Sequence, residues 1–377
     1  MSVPIQDPAV AEHSTFPCSS CGAELEFAPG QSALKCPHCG TQNDISPTDA
    51  KVEEIDYHAT IASLKDQTDT IDAITIHCDS CGANVTFDEG VTSQSCPFCG
   101  SNVVAARQSQ RLLKPKSLLP FQFTADQSQQ RFGSWLKGLW FAPNDLKKLA
   151  SIEAISLGKG VHSTSKGGTQ LVGIYLPYWT FDAKCVTPYT GQRGDNYTVT
   201  VGSGKNRRTQ TRIRWSFRSG IVHNQFDDVL TPGSITLPAK LLDKLGNWDT
   251  KALVPYDDRY LAGFRAESYA IDLDDAFVAA REQMLEVIRG TIRRDIGGDH
   301  QRITSMSPQF SAITFKHVLF PLWVSTFRYR GKLYRFLVNA RTGAISGERP
   351  YSAWKIAFAV LGALAVIGII ALVASKN

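Results

Sequence analysis

The chain has 377 residues, 43% of them hydrophobic and 20% charged, with a net charge of +5. That charge is unevenly placed: residues 1–110 hold 15 acidic against 4 basic side chains, and residues 111–377 hold 20 acidic against 36 basic. The acidic part is thereby poorly suited to clamp a phosphate backbone, because such affinity comes mainly from cations, while charge alone leaves the basic part open to anionic lipid, nucleic acid or the chain's own acidic half.

In chain order, residues 1–16 are polar and acidic and lack the apolar stretch of a secretory signal. Eight of the nine cysteines then form two matched sets, Cys18-x2-Cys21-x14-Cys36-x2-Cys39 and Cys78-x2-Cys81-x14-Cys96-x2-Cys99. A Cys-x-x-Cys turn presents two thiolates to one ion at about 2.3 Å, and two such turns close the tetrahedral four-sulfur shell of structural zinc. No coordination position stays open for chemistry. Glycine after the last ligand of each knuckle permits a positive φ that turns backbone amides toward sulfur. The intervening residues repeat as well, with Glu24-Leu25-Glu26-Phe27 answered by Asn84-Val85-Thr86-Phe87. The expectation is two zinc ribbons, residues 1–45 and 74–106, each holding one structural Zn2+ and separated by an acidic spacer at 46–73. Paired disulfides would need an oxidising compartment, and a thioredoxin-like site would use a single Cys-x-x-Cys. Cys185 reads as an inert buried thiol, and His38 and His77 as polar neighbours of complete cysteine sets.

Within the spacer, Val52, Ile55 and Ala59 predict a helix over 50–64. A basic linker at 107–117 leads into a body at 118–352, expected to be α+β and rich in strands. Phe132, Trp135, Leu136 and Leu139 share one face of a helix over 126–140, and Pro143-Asn144-Asp145 opens another. Strands follow from Leu171. Residues 197–201 and 209–217, joined through Gly202-Ser203-Gly204, predict a hairpin whose second arm alternates Arg212, Arg214, Ser216 and Arg218 with Ile213, Trp215 and Phe217. With Lys205, Arg207 and Arg208, this makes a lipid-headgroup or nucleic-acid surface, or a solvated edge whose charges discourage strand addition. Residues 271–295 predict a helix burying Leu273, Phe277, Ala280, Met284, Val287, Ile288 and Ile292. Residues 318–327 and 332–338 form a second hairpin around Arg330-Gly331, and a short strand ends near Gly347. Leu176-Pro177-Tyr178-Trp179 and Phe320-Pro321-Leu322-Trp323 both open aromatic strands, so the body is one domain or a duplicated pair.

Residues 356–374 carry no charge and no hydrogen-bonding side chain; as a helix they cover about 28 Å, close to the hydrocarbon thickness of about 30 Å. Tyr351 and Trp354 stand where an aromatic belt belongs, beside Arg349 and Lys355. A core helix would need a later element to cover it. Residues 353–377 are therefore expected to be a C-terminal transmembrane anchor, with the N-terminal bulk in the cytoplasm.

No phosphate-binding loop, nucleophile elbow or His-Glu-x-x-His motif occurs, and Asp272, Asp274 and Asp275 suit a helix start, so no enzyme and no small-molecule substrate are expected. The paired cysteine sets, the two aromatic strand openings and the run from Val338-Asn339-Ala340-Arg341-Thr342-Gly343 through Gly347-Glu348-Arg349-Pro350-Tyr351-Ser352 resemble a bacterial family of tail-anchored proteins with TFIIB-type zinc ribbons. Members often carry the name primosomal protein N-prime or a helicase-like one, which would require nucleotide-binding motifs that this sequence lacks. The resemblance implies a bacterial inner-membrane anchor for envelope-stress proteins, including phage-shock-A-like and SPFH-domain partners. The chain is thus read as a membrane-anchored zinc-ribbon adaptor recruiting cytosolic proteins, its basic body against the anionic leaflet. A membrane-tethered nucleic-acid-binding protein using the 205–218 hairpin is the alternative, and a labile-zinc redox or metal sensor a third.

Overall fold

The computed structural model describes residues 16–46, 52–64, 70–78, 82–86, 93–96, 98, 101–104, 108–144, 171–204, 207–246, 248–329 and 332–374. The first cysteine set folds as a small antiparallel sheet of β1 (Glu26–Phe27), β2 (Ala33–Lys35) and β3 (Gln42–Asp44). Next come β4 (Ile55–Asp56) and α1 (Tyr57–Leu64). The Asp56 carboxylate accepts from the Ala59 amide at 2.7 Å and caps α1, so the spacer helix starts later than the apolar spacing suggests. Around the second set lie β5 (Thr70–His77), β6 (Asn84–Thr86), β7 (Ser93–Ser95), β8 (Asn102–Val104) and β9 (Gln108–Leu113); β5 pairs with β6 and β9, and β7 with β8.

The body runs β10 (Ser117–Leu118), α2 (Ala125–Gly138), β11 (Val172–Val201), β12 (Arg208–Pro232), α3 (Ala239–Leu242), β13 (Val254–Pro255), β14 (Arg265–Ala266), α4 (Leu273–Ile296), β15 (His300–Met306), β16 (Gln309–Tyr329), β17 (Lys332–Asn339), β18 (Ile345–Gly347) and α5 (Ala353–Ala374). A capping box between Thr124 and Gln127 starts α2. Of the helix expected to open with Pro143-Asn144-Asp145, Pro143 and Asn144 lie among the described residues and the rest lies outside them. The sheet is ordered β12-β11-β16-β10-β13, with β14 and β15 also on β11, β17 and β4 on β16, and β18 on β17. This is the strand-rich α+β body read from the sequence.

The two aromatic openings are cross-strand neighbours, with Leu176 opposite Phe320. Each proline sits where a flanking strand departs: the Pro177 carbonyl accepts from Gly233 at 2.9 Å just past β12, and the Pro321 carbonyl accepts from Ala340 at 3.1 Å just past β17. Both missing N–H groups therefore face a place with no ladder to serve. Each hairpin carries a helix. Phe132 of α2 stacks on Phe336 of β17 at 3.6 Å, while α4 packs on β11 and β12.

On α4 the buried stripe is Leu273, Ala276, Ala280, Met284, Ile288, Ile292 and Ile296. Val287 is exposed instead of buried and Phe277 only half-buried, because a stripe advancing mostly by four residues drifts across the helix and leaves Val287 on its flank. Ribbon and body share cores. Cys18, Leu25, Phe27, Leu34 and Cys36 pack with Phe121, Tyr175 and Phe336, and Cys78, Ala83, Cys96 and Phe98 with Ile174, Leu176 and Phe320.

The sheet has two unlike ends. Strands β11 and β16 are antiparallel with Val172 opposite Val324, so the β11-β12 turn and the β16-β17 turn project in opposite directions. β18 is antiparallel to β17 and so heads toward the β16-β17 end, where the chain enters α5. That turn, Arg330-Gly331, lies outside the described residues.

Candidate metal centre and the surfaces around it

In the first knuckle pair, the Cys18 amide donates to the Ala23 carbonyl at 2.7 Å and the Gly22 amide to the Cys18 carbonyl at 2.9 Å; Cys36, Thr41 and Gly40 repeat the pattern at 2.8 and 3.1 Å. Gly22 and Gly40 adopt φ of 73° and 78°, the left-handed turn that their positions require. These turns bring the four sulfurs of Cys18, Cys21, Cys36 and Cys39 within 4.8 Å of one another, with Cys18–Cys39 and Cys21–Cys36 each at 3.5 Å. A tetrahedron with arms of about 2.3 Å has edges of about 3.8 Å, so this group could hold a metal ion. The Cys39 amide also points at the Cys36 sulfur at 3.4 Å.

Hydrogen bonds from the Thr41 hydroxyl and amide bring the Cys39 thiol down to about 6. The Ala23 amide favours a Cys21 thiolate too, yet the Cys36 and Cys39 sulfurs push that thiol up to about 12. Four thiolates this close ionise together only when a cation offsets their repulsion.

In the second set Cys78 and Cys96 are buried, and their knuckles repeat the bonds Cys78 to Ala83 at 2.8 Å, Gly82 to Cys78 at 2.7 Å and Cys96 to Ser101 at 2.8 Å. Cys81 and Cys99 lie outside the described residues, so one complete four-cysteine cluster is seen among those described. Beside Cys96, Glu267 is buried and accepts from the Ser234 hydroxyl at 2.9 Å and from Thr236; burial pushes it up to about 7. Cys185 is buried, with its sulfur 3.4 Å from the Thr187 hydroxyl.

One cluster escaped the sequence reading. Asp182, Asp227 and Asp228 bring carboxylate oxygens within 4.8 Å of one another, but Lys316, only 6% exposed, places its ammonium 2.8 Å from Asp228, 3.5 Å from Asp182 and 3.4 Å from Glu54. The cation position is thus occupied by the chain itself. Both strands flanking Asp182 are bulged, and the two positive-φ non-glycine residues among those described, Asp228 (53°) and Ala312 (49°), lie in those bulges. Burial pushes Asp182 up to about 6, while Glu54 is held lower by its hydrogen bond with Asp182, so Asp182 takes the shared proton first. Through Glu54, the segment between the ribbons is fastened to the sheet, beside the β4-β16 pairing and the 2.5 Å bond from Tyr57 to Asp274. Next to Lys316, buried His317 donates its Nδ1–H to the Leu113 carbonyl at 3.0 Å and stacks on Trp179 at 4.6 Å; burial holds the ring neutral, bringing it down to about 4.

Of the basic residues singled out, Arg207, Arg208, Arg212, Arg214 and Arg218 are all exposed on or beside β12, whereas Lys205 lies outside the described residues. Arg214 lies over Tyr197 at 5.1 Å, and on the opposite face Arg302 covers Trp215 at 4.0 Å. Phe217 and Ile221 on that second face remain 71% and 59% exposed. The hairpin is also far longer than expected, its second strand running to Pro232.

Within α5, Ala353–Ala371 has mean hydropathy 2.2 and no buried part, so the helix is long and apolar enough to cross a membrane. Among curated proteins, an uncharacterized Bacillus subtilis (strain 168) protein, YdjG, is 24% identical over 356 residues, covering 91% of this chain and 92% of its own. No family model and no solved structure matches the chain.

Proposed function

We propose that the chain is a non-enzymatic, membrane-anchored adaptor. One observation carries this reading: a single sheet is joined at one end to an apolar helix and extends at the other into an exposed ribbon with bare aromatic and aliphatic side chains. Seven residues of β11 beyond Gly194, the last to pair with β15, reach about 23 Å at 3.3 Å per residue, a projection suited to meeting a partner away from the bilayer. Lys332 and Arg335 lie toward the anchor's end, so any electrostatic contact with an anionic leaflet belongs to them and not to the 207–218 arginines. Both cysteine sets hold structural zinc, chosen over softer alternatives because four thiolates in a closed tetrahedral shell suit it. The ribbons serve the body they pack on. Envelope-stress proteins of the phage-shock-A-like and SPFH-domain kinds are the partners to look for, at a bacterial inner membrane.

Affinity capture of the full chain after cross-linking in cells tests this. Phe217→Asp with Ile221→Asp should keep the protein in membranes with its metal, yet lower the captured partner at least tenfold, a loss of about 1.4 kcal/mol. Unchanged partners would contradict the reading. The runner-up, a membrane-tethered nucleic-acid-binding protein, is favoured by the arginine face of β12; it requires co-purifying nucleic acid that is lost on replacing Arg212, Arg214 and Arg218 by serine.

A further inference from the structure

Where α2 ends, the chain turns through Leu139, Trp140 and Phe141 before Pro143. Leu139 and Ala142 are buried, but Trp140 points outward and is 75% exposed. The backbone of this turn is tied to the start of α5. The Ser352 amide donates to the Phe141 carbonyl at 2.8 Å, and the Lys355 ammonium donates to the carbonyls of Trp140 at 3.3 Å and Ala142 at 2.8 Å and to the Asn144 side chain at 2.7 Å. Lys355 is therefore directed at the body and is not free to reach a lipid phosphate. Beside it stand two more exposed rings, Trp354 at 77% and Tyr351 at 58%, the latter under the Arg349 guanidinium at 5.3 Å.

Scattered surface aromatics need no explanation, but three at one end of an uncovered apolar helix do. An indole has an apolar body and one N–H donor, so its preferred place is the boundary where hydrocarbon meets hydrated headgroups. The hydrogen bonds put the Trp140 main chain at the level of Lys355, one residue from Trp354. Resting on the membrane reading of α5, we infer that Trp140 is a second lipid contact: its indole sits in the headgroup zone of the same leaflet as Trp354 and, through the Lys355 clamp, holds the body in a fixed orientation on the bilayer. The occupant is lipid because the patch is continuous with the spanning helix. In this orientation α2 points its C-terminal end at the membrane, since Arg131 lies against Gly343 and Trp135 against Gly347 along β18, and the β11-β12 ribbon points away. The sequence alone linked only Tyr351 and Trp354 to the interface, because Trp140 lies more than 200 positions before them in the chain.

The test uses the full chain reconstituted into vesicles of three parts phosphatidylcholine to one part phosphatidylglycerol, with lipids brominated near the headgroup end of the acyl chain as a contact quencher of tryptophan. Trp140→Phe, Trp354→Phe and the double variant are compared with the parent chain. Each single variant should remove a similar share of the quenchable fluorescence, and the double variant about twice that share. If Trp354→Phe removes quenchable signal and Trp140→Phe removes none, the second contact is overturned while the anchor stands. If neither substitution changes the quenching, the membrane reading of α5 fails as well.

Discussion

Replacing Cys36 by serine is expected to remove one metal ion per chain and to unfold the first ribbon. Cys36 is a buried member of the four-cysteine cluster, and its knuckle also carries the bonds from Cys36 to Thr41 and from Gly40 back to Cys36, at 2.8 and 3.1 Å. A ribbon of this size cannot bury enough apolar surface to be stable unaided. Structural zinc supplies about 10 kcal/mol or more to such folds at neutral pH, comparable with the whole stability of an ordinary domain. Because Cys18 and Cys36 share a core with Phe121 and Tyr175, the loss should extend beyond the ribbon and lower the melting temperature of the body. Cys185→Ser, at a buried thiol outside both sets, should leave the metal content unchanged. Elemental analysis of reduced protein in detergent, paired with thermal melting, checks both variants. Full metal retention by Cys36→Ser, or an unchanged melt, would show that the cluster is not a metal centre that holds the fold.

Lys316→Met should destabilise the body by about 3–5 kcal/mol, because it leaves the carboxylates of Asp182, Asp228 and Glu54 around an uncharged side chain. The pH dependence has a definite sign. Asp182 already has a raised value of about 6, so the folded state holds its proton more tightly than the unfolded chain does. The stability this proton gives is complete below about 3.8, the ordinary value, and is lost as pH rises through about 6. Without the ammonium the carboxylates hold protons more tightly still, so the gap in stability between variant and parent should narrow between pH 7.5 and pH 5 as they protonate. Urea unfolding at the two pH values measures the gap. A gap that stays constant would mean that the network is solvated and its charges are not felt.

The first cysteine cluster and α5 were legible because each is a local pattern: cysteines spaced two residues apart on a turn, and an unbroken apolar stretch long enough for a bilayer. The second set shows the limit, since only Cys78 and Cys96 of its four cysteines are described. The length of β11 was hidden by Pro188, Gly191 and Gly194, which read locally as breaks. They mark close approaches instead. A Cβ on Gly191 would stand 2.5 Å from the Arg302 carbonyl oxygen of β15, and one on Gly194 would stand 2.9 Å from Trp215. The Lys316 network was equally hidden, because its members come from four distant segments and the one local signal was a single acid, Asp182, inside an aromatic strand. Packing of the ribbons on the body left no periodic trace either, since it depends on which faces meet and not on spacing along the chain.

Membrane anchoring by α5 is the claim on which the account turns, and alkaline carbonate extraction of cell membranes tests it most directly. The full chain should remain in the pellet, and a chain lacking residues 353–377 should move to the soluble fraction, because one indole at Trp140 and the charges of Lys332 and Arg335 cannot replace an inserted helix. Release of the full chain by carbonate, or a truncated chain that still pellets, would contradict it.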